Sequence, residues 1–322
     1  MSLYYQPSNK MPLPGIVLLL LGGLVAAAGL TLVYTYANWY SPVVQLSALT
    51  CLFFGLLLGM ALTRLVELGK LRSPLGVAGL GLLVGLAAVC LEWGAYLTLL
   101  FGTHATGPGD AAETSTSFSP HLLADILAHP SRTWEAVRQV NRVGVWSMHS
   151  GPHSAAGTDS KPTGWYLGLF WGLEALIIVA GAVLSYLRAK APFSELTGEW
   201  ATREGFPVPV AFIQDEALTR TALEAGQTGG FVPHRPGDNA GQYARLLVHR
   251  VPADATCRYL TVENVAYVTD NRGKVTPKVR AVVRRLALSP AAYKDLVQRF
   301  GAPVPGVVLP AQANPPSTKA PH

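Results

Sequence analysis

Four long apolar runs constrain the fold of this chain more than any other feature of its sequence. They occupy residues 13–36, 43–63, 75–101 and 165–187. A helix of roughly 20 apolar residues is long enough to cross the hydrocarbon core of a bilayer, which is about 30 Å thick. The sequence therefore predicts a membrane all-α four-helix bundle. The first run is too long, and its leader too weakly basic, for a cleaved signal peptide.

The basic residues beside these runs predict how the chain is oriented. Arg64, Lys70 and Arg72 lie in the short connection between the second and third runs, and further basic residues follow the fourth. Short connections rich in lysine and arginine stay on the cytoplasmic side of a membrane. We therefore expect both termini in the cytoplasm (N-in/C-in), residues 102–164 outside it, and the chain in a plasma (inner) membrane.

Two pairs of glycines predict where helices pack closely. Gly55 and Gly59 in the second run, and Gly81 and Gly85 in the third, have the G-x-x-x-G spacing that lets helix backbones approach one another. Packing within one four-helix bundle is the interpretation that we favour. A dimerisation face, and hence a homo-oligomer, is the alternative.

Two acids lie well inside the apolar runs, Glu92 in the third and Glu174 in the fourth. A charge at the centre of a bilayer costs about 3 kcal/mol or more, so both need polar neighbours. Each lies roughly 13 Å from the same end of the bundle, and Tyr96 and Trp171 share their helical faces. We expect an intramembrane polar cluster of these four residues. Hydrogen-bonded acids that fix helix register are the favoured interpretation, and a proton or cation site is the alternative.

The segment between the third and fourth runs is predicted to be extracytoplasmic and to hold amphipathic helices. Residues 103–118 are small and polar and predict a flexible linker. Ser119 and Pro120 have the character of an N-cap and a first-turn proline, so a short helix is expected over 120–128. A second helix, expected to cap the bundle, starts at Pro130. Its predicted apolar face consists of Trp134, Val137, Val140 or Asn141, and Val143.

Five of the eight histidines fall in the same segment. His149 and His153 are the closest pair among them and are weak metal candidates. Zinc or copper needs three or four convergent ligands, and the glycine and proline between these two histidines interrupt any helix that would align them. The sequence therefore predicts no metal site and no cofactor.

Residues 188–302 are predicted to form a small soluble α+β domain with a mainly antiparallel sheet. The chain from Arg188 to His322 carries the whole net charge of +6. The predicted elements are helices over 214–225 and 290–300 and strands over 243–251, 259–268 and 275–288. The proline-rich tail, residues 303–322, is predicted to be disordered.

Basic residues crowd the last predicted strand of this domain. They are Lys274, Lys278, Arg280, Arg284 and Arg285. Several are two residues apart, which predicts one strongly positive face. A solvated edge strand is the favoured interpretation, contact with anionic lipid or a protein partner is second, and nucleic acid is unlikely.

No motif for catalysis survives inspection, since the chain has no P-loop, no H-E-x-x-H, no G-x-S-x-G and no C-x-x-C. Cys257 with His249 would be a nucleophile and base, but a structural thiol is favoured. We expect a non-enzymatic scaffold or regulator that presents a basic cytoplasmic interaction domain. The alternatives are a small ion or proton pathway through Glu92 and Glu174 and, third, a membrane enzyme of unknown class.

Overall fold

The chain forms two compact units in a computed structural model that describes residues 3–40, 44–106, 113–144, 163–235 and 241–306. The helical unit is Ser8–Lys190, and the α+β unit joins Met1–Pro7 to Ala191–His322. Four long apolar helices are followed by a small α+β domain with an antiparallel sheet. This order of elements confirms the predicted fold class at that level.

The helical unit is built from seven helices and one short hairpin within the described residues. The helices are α1 (Leu13–Tyr40), α2 (Val44–Leu68), α3 (Pro74–Phe101), α4 (Pro120–Ala128), α5 (Pro130–Val143), α6 (Gly164–Val183) and α7 (Tyr186–Ala189). The hairpin strands are β1 (Thr103–Thr106) and β2 (Glu113–Thr116). By length and composition α1, α2, α3 and the α6–α7 region are able to cross a membrane. These four helices indicate an integral membrane protein.

Large apolar side chains point outward from the long helices. Val25 on α1 is 74% exposed, Leu83 on α3 is 59% exposed and Leu176 on α6 is 62% exposed. A soluble protein rarely exposes so much continuous apolar surface, whereas the hydrocarbon of a bilayer accommodates it. The exterior of the bundle therefore fits a lipid environment.

Glycines bring α6 into close contact with both α2 and α3. A Cβ atom on Gly55 would collide with the backbone of α6, and one on Gly59 would collide with the carbonyl oxygen of Gly181. A Cβ atom on Gly81 of α3 would lie 2.7 Å from the carbonyl oxygen of Ala182. Both predicted glycine pairs therefore serve packing within the bundle, which confirms the favoured interpretation.

Residues 103–106 and 113–117 differ from the flexible linker that the sequence predicts over residues 103–118. Strands β1 and β2 pair antiparallel, with Thr103 opposite Thr116. The hydroxyl oxygens of these two threonines lie 3.1 Å apart, and Ser117 N donates to the carbonyl of Gly102 at 3.1 Å. The prediction was wrong because threonine favours extended backbone and the ladder satisfies the backbone polar groups.

The two helices after this hairpin begin where the sequence predicts. Ser119 is the N-cap of α4 and accepts a hydrogen bond from Leu122 N at 3.4 Å. The predicted apolar face of α5 is only partly correct. Val137 and Val140 are half-buried, but Trp134 is 58% exposed and stacks beneath Arg138. Val143, also predicted on that face, is exposed.

The α+β unit is a five-stranded antiparallel sheet with two helices on one face. The strands of the unit, five of which form this sheet, are β3 (Phe193–Ser194), β4 (Glu199–Trp200), β5 (Thr202–Gly205), β6 (Gln242–Val251), β7 (Asp254–Thr269), β8 (Val275–Ala287) and β9 (Val304–Pro305). Its helices are α8 (Glu216–Glu224) and α9 (Pro290–Phe300). The sheet has the strand order β8-β7-β6-β5-β9, and β3 pairs with β4 separately. Leu246, Val262, Val283, Leu296 and Phe300 belong to its core.

Both ends of the chain add backbone to this sheet, which the sequence did not indicate. Tyr5 N donates to the carbonyl of Arg285 at 2.9 Å, and Ala287 N donates to the carbonyl of Leu3 at 2.8 Å. At the other end β9 pairs with β5, so the predicted disordered tail is wrong at residues 304–305. Residues 307–322 lie outside the described residues.

Candidate functional site

A pocket of about 550 Å³ lies inside the helical unit, among α1, α2, α3, α5 and α6. We call it the acidic pocket. It is defined by Tyr34, Thr35, Trp39, Ser47, Glu92, Trp93, Tyr96, Trp171 and Glu174. Its volume is within the range of sites that hold small organic molecules, roughly 300–1,000 Å³.

The two acids meet in this pocket because α3 and α6 run antiparallel. Gly81 contacts Ala182, and Trp93 contacts Trp171, so positions later on α3 match positions earlier on α6. The same register brings Glu92 of α3 and Glu174 of α6 to the same part of the bundle, and both residues are half-buried. The structure thus brings together all four residues of the predicted polar cluster, including Tyr96.

Hydroxyl groups from α1 and α2 contact the Glu174 carboxylate. Ser47 Oγ donates to Glu174 Oε1 at 2.9 Å, and the Tyr34 hydroxyl also hydrogen-bonds to this carboxylate. Ser47 and Tyr34 are themselves buried. Glu174 is therefore tied to α1 and α2 by hydroxyl donors, while Glu92 approaches it from α3.

An aromatic wall forms one side of the acidic pocket. Trp39 meets Tyr96 with ring centroids 6.1 Å apart, Tyr96 meets Trp93 at 6.0 Å, and Trp93 meets Trp171 at 4.6 Å. All three pairs are edge-to-face, the arrangement that the quadrupoles of aromatic rings favour. Of these four rings the sequence singled out Tyr96 and Trp171 for the cluster. Trp39 is distant in the chain, and no local spacing connects it to the acids.

The polar groups of the acidic pocket carry no compensating positive charge. Its lining in the described part of the chain includes no lysine, arginine or histidine. Thr35 lines the pocket with only 2% of its surface exposed, and its hydroxyl has no hydrogen-bond partner among the described residues. The arrangement therefore leaves two carboxyl groups without a basic partner, beside a buried hydroxyl that is unpaired among the described residues.

Helix α5 forms a further wall of the pocket with side chains that are about one helical turn apart. Ala136, Gln139 and Val140 line the acidic pocket. Arg138 faces elsewhere, since its guanidinium lies 5.4 Å from the centre of the Trp134 ring. The amphipathic helix therefore presents neutral groups to the acids and directs this cation away from them.

The basic residues of β8 do not form the single positive face that the sequence predicts. Lys274, Lys278, Arg280 and Arg284 are exposed, whereas Arg285 is half-buried. The pairing of β7 with β8 shifts register twice before the end of the strands, which resets the alternation of side chains.

Two of these arginines have local roles inside the α+β unit. Arg280 forms an ion pair with Glu216 of α8 at 3.2 Å. Arg285 has a positive φ of 57°, and its N–H donates to Thr261 Oγ1 at 3.1 Å. Burial lowers the pKa of Arg285. These contacts leave Lys274, Lys278 and Arg284 as the exposed basic residues of the predicted set that have no ion pair among the described residues.

The structure does not describe the two weak metal candidates, and it gives no support to a catalytic thiol. His149 and His153 lie outside the described residues, and within those residues no group of three possible ligands assembles. Burial raises the pKa of the Cys257 thiol to about 11 and lowers that of His249 to about 4. At pH 7 the thiol is therefore protonated, which is the opposite of an activated nucleophile.

Comparison of the chain with protein-family models, with curated proteins and with solved structures gives no match. The chemistry of the acidic pocket is therefore inferred from its residues.

Proposed function

We propose that this protein is a non-enzymatic membrane regulator that binds a small molecule in the acidic pocket and presents its α+β unit to a cytoplasmic partner. The observation that carries this proposal is the placement of Glu92 and Glu174 on one pocket with a four-ring aromatic wall. Polar groups in a membrane interior are costly and mark functional sites by default. All four long helices line the pocket, so occupancy would bias their packing.

A thermal-shift panel on the full-length protein in lipid nanodiscs tests the binding function. Cationic, neutral and anionic aromatic compounds are added at millimolar concentration. A ligand that binds only the folded state raises the melting temperature by mass action. We expect one charge class to stabilise the protein and to lose this effect in Trp93→Leu. Absence of any shift across all three classes would exclude a small-molecule site.

A proton or cation pathway is the second candidate, because Glu92 and Glu174 are both half-buried and line the same pocket. Two acids that face one pocket are able to share a proton or an ion. Reconstituted liposomes should then show a proton or cation flux that Glu174→Gln removes. An equal flux in both proteins would assign the acids to ligand binding or to structure.

The orientation that accompanies this proposal places the α+β unit and both termini in the cytoplasm of a plasma (inner) membrane. The basic residues Arg64, Lys70 and Arg72 support it. Native Cys257 is a poor reporter because it is buried. Cysteines at the exposed positions Ser131 and Arg272 are better reporters. An impermeant thiol reagent on intact cells should label Ser131→Cys and spare Arg272→Cys; the reverse pattern would invert the orientation.

For the exposed basic residues, contact with anionic lipid is the second proposal, behind a solvated edge strand and ahead of nucleic acid. Lys274 and Lys278 are exposed near the β7–β8 turn. A basic residue near an anionic leaflet gains about 1 kcal/mol. Trypsin should therefore cleave after Lys274 more slowly in nanodiscs that contain phosphatidylserine than in purely zwitterionic ones. Equal cleavage rates would leave the strand as a solvated edge.

A further inference from the structure

We infer that the acidic pocket selects a protonated amine carried on an apolar body, such as an arylalkylamine. This inference rests on the proposed binding function and names the chemical class of its ligand. Three properties of the pocket lead to it: its charge, its aromatic wall and its unpartnered hydroxyl.

The charge of the pocket favours a cation over a neutral or anionic ligand. Glu92 and Glu174 come from different helices and converge on one space without a basic residue in its described lining. Hydrogen bonds between an ammonium group and a carboxylate are among the strongest in proteins, and more so where water is scarce. A positively charged group would therefore satisfy both acids together.

The aromatic wall favours an organic cation over a metal ion. Calcium takes six to eight oxygen ligands, and the described residues hold no group of three acids, histidines or cysteines. Trp93 instead contacts both Tyr96 and Trp171, and these rings, each with two π faces, line the same pocket as the acids. Such faces attract ammonium groups and also accommodate apolar carbon.

The hydroxyl of Thr35 favours an amine that retains an N–H bond. This side chain is almost completely buried, lines the pocket and has no hydrogen-bond partner among the described residues. Buried hydroxyl groups are normally paired. A primary, secondary or tertiary ammonium is able to donate to Thr35 Oγ1, whereas a quaternary ammonium has no proton to donate.

The decisive experiment compares matched probes on the unmodified full-length protein in zwitterionic nanodiscs at pH 7, with empty nanodiscs to correct for partition into lipid. The probes are 4-phenylbutylamine, its neutral counterpart 4-phenyl-1-butanol, and its quaternary counterpart trimethyl(4-phenylbutyl)ammonium. We expect the amine to bind at least about tenfold more tightly than the alcohol. The quaternary ion should bind more weakly than the amine.

The possible results separate this inference from the proposed function. Equal affinity for amine and alcohol would overturn selection for a cation, while a binding function for the pocket would stand. Tighter binding of the quaternary ion than of the amine would overturn the role of Thr35. Binding of neither the amine nor the alcohol, together with an empty thermal-shift panel, would overturn both proposals.

Single substitutions then locate the binding. Glu92→Gln and Glu174→Gln should each weaken amine binding about tenfold and leave alcohol binding unchanged. Thr35→Val should weaken the amine and the alcohol, because both donate to its hydroxyl. Glu135→Gln is the matched control, since Glu135 is an exposed acid on α5 outside the pocket. An equal effect of this control would show that general surface charge, rather than the pocket, attracts the amine.

Discussion

The two units of this protein surround their buried and half-buried acids in opposite ways. In the α+β unit, Glu263 lies 2.7 Å from Arg245 and 3.2 Å from Arg203, and Glu204 lies 2.7 Å from Arg250. In the helical unit, Glu92 and Glu174 share a pocket whose described lining supplies hydroxyls and aromatic rings but no cation. Glu204 and Glu263 of the sheet are paired with arginines, whereas Glu92 and Glu174 have no basic partner in the described lining of their pocket.

This difference separates charges that hold a structure together from charges that are available to a ligand. Removing one partner of a buried ion pair leaves the other charge uncompensated and is destabilising. Removing an uncompensated acid from an apolar pocket relieves a cost instead. The helical unit must then obtain its stability from close packing, and the following predictions test each side of this comparison.

The largest effect is expected where helices touch through glycine. In Gly59→Leu the side chain would meet the carbonyl oxygen of Gly181 and force α2 away from α6. Overpacking at such a contact costs about 3 kcal/mol or more, and we expect loss of the folded peak in size-exclusion chromatography. Gly79→Leu is the control, because a Cβ atom on Gly79 meets nothing within 4 Å. Equal behaviour of the two variants would contradict packing as the source of stability.

The next largest effect concerns an acid of the sheet. Glu263→Gln leaves Arg245 beside a neutral amide, and Arg245 is mostly buried. We expect the α+β unit to lose about 2–4 kcal/mol of unfolding free energy, measured by chemical denaturation of the full-length protein. Glu199→Gln, at an exposed position on β4, should change this free energy by less than about 0.5 kcal/mol. A similar small change in Glu263→Gln would remove the contrast between the units.

A smaller effect should appear as pH dependence of the same unit. Burial, with Arg285 and Arg203 nearby, lowers the pKa of His249 from 6.5 to about 4. The unfolded chain therefore binds a proton that the folded chain rejects, so stability is complete above pH 6.5 and falls as the pH drops toward 4. Each pKa unit between the folded and the unfolded state corresponds to roughly 1.4 kcal/mol of stability. His249→Gln should reduce the pH dependence of the unfolding free energy between pH 6.5 and 5. An unchanged dependence would show that other groups cause it.

The smallest effect on stability is expected from the acids of the bundle. Glu174→Gln retains a group that accepts from Ser47 and removes a charge from an apolar setting. We expect the melting temperature in detergent to stay constant or rise, equivalent to less than about 1 kcal/mol. Marked destabilisation would show that this carboxylate is part of the scaffold, as the acids of the sheet are.

Local patterns in the sequence predicted the elements of both units well. Ser119 and Ser289 begin α4 and α9 as N-caps, and Gly301 ends α9 with a positive φ of 82°. These signals depend on neighbours within one helical turn, so they can be seen in the sequence. Within the predicted flexible linker, residues 103–106 and 113–116 form strands because each satisfies the backbone polar groups of the other. Neither strand is hydrophobic enough for the sequence to predict it.

The sequence by itself determined that four helices are long enough to cross a membrane and that Glu92 and Glu174 lie at a similar depth. Only the tertiary structure decided that Trp39 joins the aromatic wall, that Thr35 lines the pocket, and that Leu3 and Tyr5 hydrogen-bond to the backbone of β8. Apolar length and depth follow from the regular rise of a helix. Which side chains converge depends instead on how each helix is rotated against its neighbours, and contacts between residues far apart in the chain fix that rotation.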